Sequence, residues 1–363
     1  MATLTFHGAA REVTGSCYLL QSPALGTVLL DCGMHQGGDA VERIQRETFT
    51  FDPRSIDAVI LSHSHLDHTG LLPKLVNRGF SGPVHCTAAT ADLLEVLLND
   101  SAGLYFRDIE RDNLRQRRRG KPLIKPEYSQ ADVETALKLC RPAAYGDSIA
   151  MKPAARLRFL DAGHILGSSI VELTLREKGR PKTLVFSGDL GNGDSALMND
   201  PATVRHADLL LMEGTYGNRN HRSMAETVDQ FADALAATWK KRGNVMIPSF
   251  AVARTQEILF HLGQLYHTGR LDDWLVFLDS PMAIEVTQLY DRWLRELDPK
   301  DIQLLDRKKV DSLASFLPIL RLSRTPDESM AINRIKSGAI IIAGSGMCTG
   351  GRISHHFKHN LWR

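Results

Sequence analysis

Four side chains able to bind a metal crowd one hexapeptide: His63, His65, Asp67 and His68 lie in the run LSHSHLDHTG. Three of the fourteen histidines within six residues, interleaved with a carboxylate, are poorly explained by packing. The apolar run 57–61 precedes them and a helical pattern follows, so they occupy the loop at the C-terminal end of a strand. In extended backbone, residues i, i+2 and i+4 project to one side. On that reading His63, His65 and Asp67 converge, while His68 points elsewhere and serves a second ion. Imidazole nitrogen and carboxylate oxygen, with no thiolate, suit Zn2+ in a catalytic site, and Mn2+ or Fe2+ less well. The competing reading is a polar surface loop whose histidines are incidental. One hexapeptide cannot complete two sites, so further ligands belong at other strand ends. His164, in DAGHILGSS after the run 156–160, and Asp189, in SGDLG after the run 183–186, stand at such ends, each followed by glycine that permits close backbone approach. Taken singly, each reads as a capped turn; together they read as ligands.

The elements that must position these residues are visible as short apolar, β-branched runs at 3–6, 17–20, 27–30, 58–61, 156–160, 170–175, 183–186 and 209–212, bounded by Gly, Pro, Asp or Asn. Helical periodicity in 70–78, 89–106 and 129–139 makes the first part a set of mixed α/β layers. From about residue 218, long helical stretches alternate with buried runs at 244–247, 274–278 and 338–343, the βα rhythm of a parallel sheet. The 363 residues have room for two domains, and the change of rhythm divides them into 1–212 and 213–363. With 43% apolar and 24% charged residues, collagen-like and wholly disordered classes are excluded. No apolar run is long enough to span a bilayer, and the start lacks the pattern of a secretory signal, so a cytoplasmic protein is expected, with no membrane partner. Cys17, Cys32, Cys86, Cys140 and Cys348 are odd in number and never in a CxxC arrangement, which reads as reduced packing cysteines. The net charge of +2 hides a local field, because residues 107–125 carry eight basic side chains against three acidic ones. That run either attracts a nucleic-acid backbone or is a solvated face. Residues 344–351, glycine-rich and placed between an apolar run and a helical pattern, either cradle a phosphate on backbone N–H groups or form a ligand-free tight turn.

The order HxHxDH, distant His, distant Asp resembles the metallo-β-lactamase superfamily. The resemblance implies an α/β fold, an αββα sandwich with metals at one end. It assigns His63, His65 and His164 to a first zinc, Asp67 and His68 to a second, and Asp189 as the bridge. Asp31, in LLDCGMHQG, matches the family's first acidic residue, which orients a ligand. Further on, MEGTYGNRNH, PSFAVARTQE, LDSPMAIEVT and GSGMCTGGRISHHFKHNL resemble the β-CASP RNA nucleases, relatives of the polyadenylation-factor endonuclease and more distantly of RNase J. That resemblance implies an inserted α/β cap domain and a zinc-dependent nuclease, endonuclease or 5′-exonuclease, acting on single-stranded RNA. Two zinc ions with a bridging hydroxide would hydrolyse the phosphodiester, leaving 5′-phosphate and 3′-hydroxyl ends. Asp31, Asp67, Asp189 and Glu213 take the catalytic roles. His221, Arg254, Ser345, Gly346, Thr349, Gly350 and Arg352 are the substrate contacts, and a homodimer is among the expected assemblies. His355, His356 and His359 have helical spacing and line a packed helix. The family's later histidine motifs, which supply the general acid and complete the second zinc, do not occur before Arg363. The sequence therefore predicts a truncated chain or one dependent on a partner, with the C-terminal part of the sandwich missing, a sheet edge uncovered and catalysis impaired. The rivals are a DNA nuclease, another metallo-β-lactamase hydrolase such as a thioesterase, and a non-catalytic RNA-binding scaffold.

Overall fold

A computed structural model describes residues 2–362 except 38, 39, 177, 178 and 272. The chain divides into two units, Met1–Gly191 with Pro201–Gly217, and Asn192–Asp200 with Asn218–Arg363. The expected boundary after residue 212 therefore moves to Gly217/Asn218, and a nine-residue excursion joins the second unit. Hydrogen bonds explain the excursion. Leu197 N–H donates to Asp301 Oδ2 at 2.7 Å, Asp298 N–H donates to Leu197 O at 3.0 Å, and Asn199 Nδ2 donates to Glu296 O at 3.0 Å.

The first unit runs β1 (Thr3–Phe6), β2 (Tyr18–Ser22), β3 (Gly26–Leu30), α1 (Ala40–Arg46), β4 (Ala58–Ile60), α2 (Leu66–Thr69), α3 (Leu72–Asn77), β5 (Val84–Thr87), α4 (Ala88–Arg118), α5 (Gln130–Lys138), β6 (Cys140–Ala143), β7 (Ile149–Lys152), β8 (Ala155–Asp161), β9 (Ser169–Leu175), β10 (Lys182–Phe186) and β11 (Leu209–Leu211). Strands β1 to β6 form one sheet in sequence order, antiparallel as far as β3 and parallel beyond it. The second sheet has the order β11-β10-β9-β8-β7. Leu20, Val28, Leu30 and Ile60 from the first sheet pack against Leu157, Phe159, Val171 and Leu173 from the second, all at most 1% exposed. Each such side chain contributes roughly 1.5–3 kcal/mol by leaving water. The other face of the first sheet presents Leu29, Val59, Leu61 and Val84 to Leu72, Leu75, Leu94, Leu98 and Val133 of the helices. Strand β8 alternates buried Leu157 and Phe159 with exposed Arg156 and Arg158, so the second sheet turns a polar face outward. Three layers of an αββα sandwich are thus present among the described residues. β11 is an edge strand, and Leu209 and Leu210 on it are about half exposed.

The second unit contains α6 (Met224–Lys240), β12 (Val245–Pro248), α7 (Arg254–His267), β13 (Leu275–Leu278), α8 (Pro281–Arg292), α9 (Pro299–Arg307), α10 (Leu313–Phe316), β14 (Leu320–Leu322), α11 (Pro326–Ile332), β15 (Ala339–Ala343) and α12 (Gly351–Asn360). Its four strands are all parallel, in the order β12-β15-β13-β14. Central β15 reads AIIIA and is buried throughout, as a strand covered on both faces must be. All five cysteines are free, and Cys348 is exposed rather than packed. No helix of the described residues is long and apolar enough to cross a membrane.

Candidate metal centre

Strand β4 lies between β3 and β5 in the parallel part of the first sheet, and its carboxyl end delivers Ser62, His63, Ser64 and His65. The extended conformation stops there. Leu66 begins the single turn of α2, closed by Gly70 N–H donating to Leu66 O at 2.7 Å, so Asp67 and His68 project from a helical turn. The alternating convergence expected of His63, His65 and Asp67 is therefore broken at Asp67. The side chains that do meet are His63, His65, His164 and Asp189, whose ligand atoms all lie within 4.8 Å of one another.

Two loops bring in the distant members. After β8, the turn to Ser168 is tied by Gly163 N–H to Asp161 Oδ1 at 2.8 Å and by His164 N–H to Ser168 Oγ at 3.0 Å. After β10, Gly188 takes φ +54° and Gly191 N–H donates to Ala162 O at 2.9 Å. A Cβ on Gly191 would sit 1.8 Å from Gly163 O, so only glycine lets the Asp189 loop lie against the His164 loop. Glu213 fastens the same loop. Its Oε1 accepts from Leu190 N–H at 3.0 Å and its Oε2 from Thr215 N–H at 3.2 Å. It lies in the first unit and not, as expected, at the head of the second.

At the centre, His63 Nε2 stands 3.1 Å from His65 Nδ1, which is 3.3 Å from His164 Nε2. Asp189 Oδ2 is 3.8 Å from His63 Nε2 and 3.6 Å from His164 Nε2. Asp189 Oδ1 faces the other way, 3.3 Å from His68 Nε2. Buried Asp31 organises the rear. It takes Ser62 N–H on Oδ1 at 2.7 Å, and Ser62 Oγ, Ser16 Oγ and His68 Nδ1 on Oδ2 at 2.9, 3.0 and 2.7 Å. With its proton donated to Asp31, Ser62 Oγ accepts from His63 Nδ1 at 3.0 Å, which leaves the His63 Nε2 lone pair facing the cluster. His68 likewise gives Nδ1–H to Asp31 and turns Nε2 towards Asp189.

Burial, reinforced by the neighbouring imidazoles, pushes His63 well below its usual range and His65 down to about 3. Burial opposes protonation of His68 too, but Asp31 and Asp189 overcome it and hold that ring well above its usual value. Burial would raise Asp189, yet the hydrogen bond and charge of His68, with His164 and His65, bring it to about 2. Burial raises Asp67, with Asp189 and Asp31 adding to the effect. His63 and His65, held below their usual range, turn ring nitrogens towards each other and towards His164, with the Asp189 carboxylate beside them. That donor set fits a divalent cation.

The predicted substrate contacts all lie in the second unit. His221 is exposed, and Arg254 opens α7, 62% exposed, paired with Glu257 at 2.6 Å. Residues 344–350 form a compact loop in which Cys348 N–H donates to Ser345 O and Ile353 N–H donates to Gly344 O. Ser345 Oγ and Thr349 Oγ1 face each other across it at 3.5 Å, and Gly346 lies against the ring of Phe250. Arg352 differs from the expectation of a substrate contact. Its guanidinium serves Asp279 at 2.6 Å and the carbonyls of Ser323 and Arg324. Asp279 is completely buried and also accepts from Ser323 Oγ, Ser329 Oγ and His356 Nε2, so a buried carboxylate claims both Arg352 and His356 of α12. Buried His356 is therefore structural, as its spacing predicted. The sequence reading missed Ser62 and Ser16, although Ser62 directly precedes the histidine run.

Sandwich and donor cluster together define a metal-dependent hydrolase of the metallo-β-lactamase superfamily, whose model matches residues 10–135. The model of the Beta-Casp domain matches residues 255–363. The chain is 42% identical over 356 residues to Ribonuclease TTHA0252 of Thermus thermophilus, covering 98% of this chain and 75% of that protein. It is 32% identical over 368 residues to Transcription termination factor FttA of Methanothermobacter thermautotrophicus, covering 98% of this chain and 54% of that one. An RNase J-like protein of Methanocaldococcus jannaschii is 27% identical over 361 residues, covering 99% of this chain and 75% of that protein. The chain belongs to the β-CASP family of metallo-β-lactamase proteins, and it spans three quarters of the Thermus ribonuclease but about half of the archaeal termination factor.

Proposed function

We propose that the chain is a zinc-dependent nuclease hydrolysing phosphodiester bonds of single-stranded RNA. The observation that carries this is the two-sided Asp189 carboxylate: Oδ2 faces His63 and His164, and Oδ1 faces His68. His63, His65 and His164 would hold one ion, Asp67 and His68 a second, and Asp189 would touch both. Such a pair, when bound, supplies a water acidic enough to attack at neutral pH and positive charge against the phosphate oxygens. The chain's own part is orientation. Asp31 fixes the His68 ring, Ser62 fixes that of His63, and Glu213 pins the backbone beside Asp189. Phosphate is also the chemistry suited to the loop 345–350 and to the exposed Arg254 and His221 side chains. The relatives, a ribonuclease and an RNase J-like protein, favour RNA over DNA.

Metal analysis with cleavage of matched labelled RNA and DNA strands tests the reading. Two zinc ions per chain, cleavage of RNA, and at least about a hundredfold loss in His63→Ala are expected. Equal turnover of DNA would sink the RNA preference, and undiminished activity in His63→Ala would sink the metal mechanism.

A further inference from the structure

Helix α4 begins beside the metal centre and ends far from it. Thr87, its N-cap, donates its hydroxyl to Gly167 O at 2.6 Å, and Thr90 Oγ1 donates to the same carbonyl at 2.9 Å, three residues from His164. Thirty-one helical residues at 1.5 Å each carry the chain about 46 Å away from that point. The first two thirds of the helix are anchored by Leu94, Leu98, Tyr105 and Ile109 in the core. From residue 110 to residue 118 no side chain is buried. A return strap is fixed along this free end by Asn113, whose Nδ2 donates to Ile124 O at 2.9 Å while its Oδ1 accepts Ile124 N–H at 2.7 Å.

The charge on this finger is unevenly matched. Arg111 pairs with Asp108 and Asp112, and Arg115 pairs with Asp112. Arg117, Arg118, Arg119, Lys121 and Lys125 are exposed, and none has a carboxylate of the described residues within ion-pair distance. The carboxyl end of a helix accounts for about half a charge, and Arg119, Lys121 and Lys125 lie beyond the helix altogether. Beside the cations, Phe106, Ile109, Leu114 and Pro126 line a groove together with Glu110, Asn113 and Arg117. Clustered guanidinium groups suit phosphate oxygens, and the apolar side chains of that groove suit an unstacked base.

We propose that the tip of α4 and its return strap form a second RNA-binding surface, remote from the metal centre, that grips single-stranded RNA by phosphate contacts and one base. The inference rests on the nuclease reading, because an RNA held at the metals must be long enough to reach the tip. At about 3.4 Å per stacked nucleotide, 46 Å is about thirteen nucleotides, and fewer if the strand is stretched. The tip therefore acts on strands of roughly fifteen nucleotides or more and is indifferent to short ones.

The test compares the full chain with a variant carrying Arg117→Gln, Arg118→Gln, Arg119→Gln and Lys121→Gln, using labelled oligouridylates of 6 and 20 nucleotides at several salt concentrations. For the 20-mer, Kd should rise at least about tenfold near 0.1 M salt, and the slope of log K against log salt should fall by about 2 to 3, at about 0.7 per lost contact. Cleavage of the 6-mer, too short to span from the metals to the tip, should not change. A matching set in the second unit, Lys300→Gln, Arg307→Gln, Lys308→Gln and Lys309→Gln, should leave the 20-mer unaffected. Unchanged 20-mer affinity, an equal loss of cleavage for both lengths, or polyglutamate binding at the tip as tightly as RNA would each overturn the proposal. A parent chain that holds its metals yet neither binds nor cleaves RNA of any length would instead overturn the nuclease reading itself.

Discussion

Replacing Asp31 by Asn isolates the part played by a residue that touches no ion. The change keeps the oxygen that accepts Ser62 N–H but puts an amide NH2 where Oδ2 accepted His68 Nδ1–H at 2.7 Å. Two donors then face each other, and the imidazole must move its proton to Nε2, the nitrogen turned towards Asp189. Loss of one charge-assisted hydrogen bond is worth about 1.5–3 kcal/mol. Removing the group that orients a metal-binding histidine weakens metal affinity by about 10- to 100-fold, which is about 1.4–2.7 kcal/mol. The two routes agree. Mass-spectrometric metal counts across a series of chelators of graded affinity provide the assay. Asp31→Asn should release the ion held by His68 at about 10- to 100-fold weaker chelation than the parent, and loosen the other less, since Asp31 reaches that ligand set only through Ser62 Oγ and His63. Release of both ions at parental chelator strength would refute the argument that His68 is set by its rear hydrogen bond.

Gly191→Ala should displace the loop bearing His164, because its Cβ would fall 1.8 Å from Gly163 O; chelator titration should then release the ion held through His164 at weaker chelation than in the parent. Asp279→Asn should destabilise the second unit by about 2–4 kcal/mol, somewhat under the usual cost of breaking a buried pair since Arg352 reaches solvent. Tryptophan fluorescence during urea unfolding measures this cleanly, as all four tryptophans, 239, 274, 293 and 362, lie in that unit. Burial, with Asp311 adding to it, raises Asp291 to about 6. The folded state therefore binds that proton more tightly than the unfolded one, and stability should fall as pH rises from about 4 to 6 and then level off, by about 1–2 kcal/mol after solvent screening. Asp291→Asn should flatten that slope in pH-dependent unfolding; an unaltered slope would assign it to another group.

Apolar runs bounded by breakers located β1, β3, β8, β9, β10 and β15 to within a residue or so, because strands sandwiched between layers must be apolar. Strands β6 and β7 escaped, since CRPA and IAMK sit at sheet edges, where polar residues and proline are tolerated. Helix α4 outran its apolar stripe by twelve residues: past residue 106 its continuation rests on helix propensity and on pairs such as Arg111 with Asp108, which leave no hydrophobic period to read. At the site, histidine density announced the metal, but the partition of ligands depended on where α2 begins, and a one-turn helix leaves almost no mark in sequence. Arg352 shows the converse: motif position suggested a ligand contact, whereas a carboxylate 73 residues earlier had already claimed it.

The excursion of Asn192–Asp200 has a consequence for synthesis. Its partners Asp298 and Asp301 are encoded about a hundred codons later, Leu197 and Asp301 being 104 positions apart. At about 5–20 residues per second, those nine residues leave the ribosome about 5–20 s before anything exists for them to bind. Strand β11 emerges in that interval and can pair with β10 in the second sheet at once. Sandwich closure thus precedes docking of the excursion, which stays a protease-accessible thread until α9 arrives.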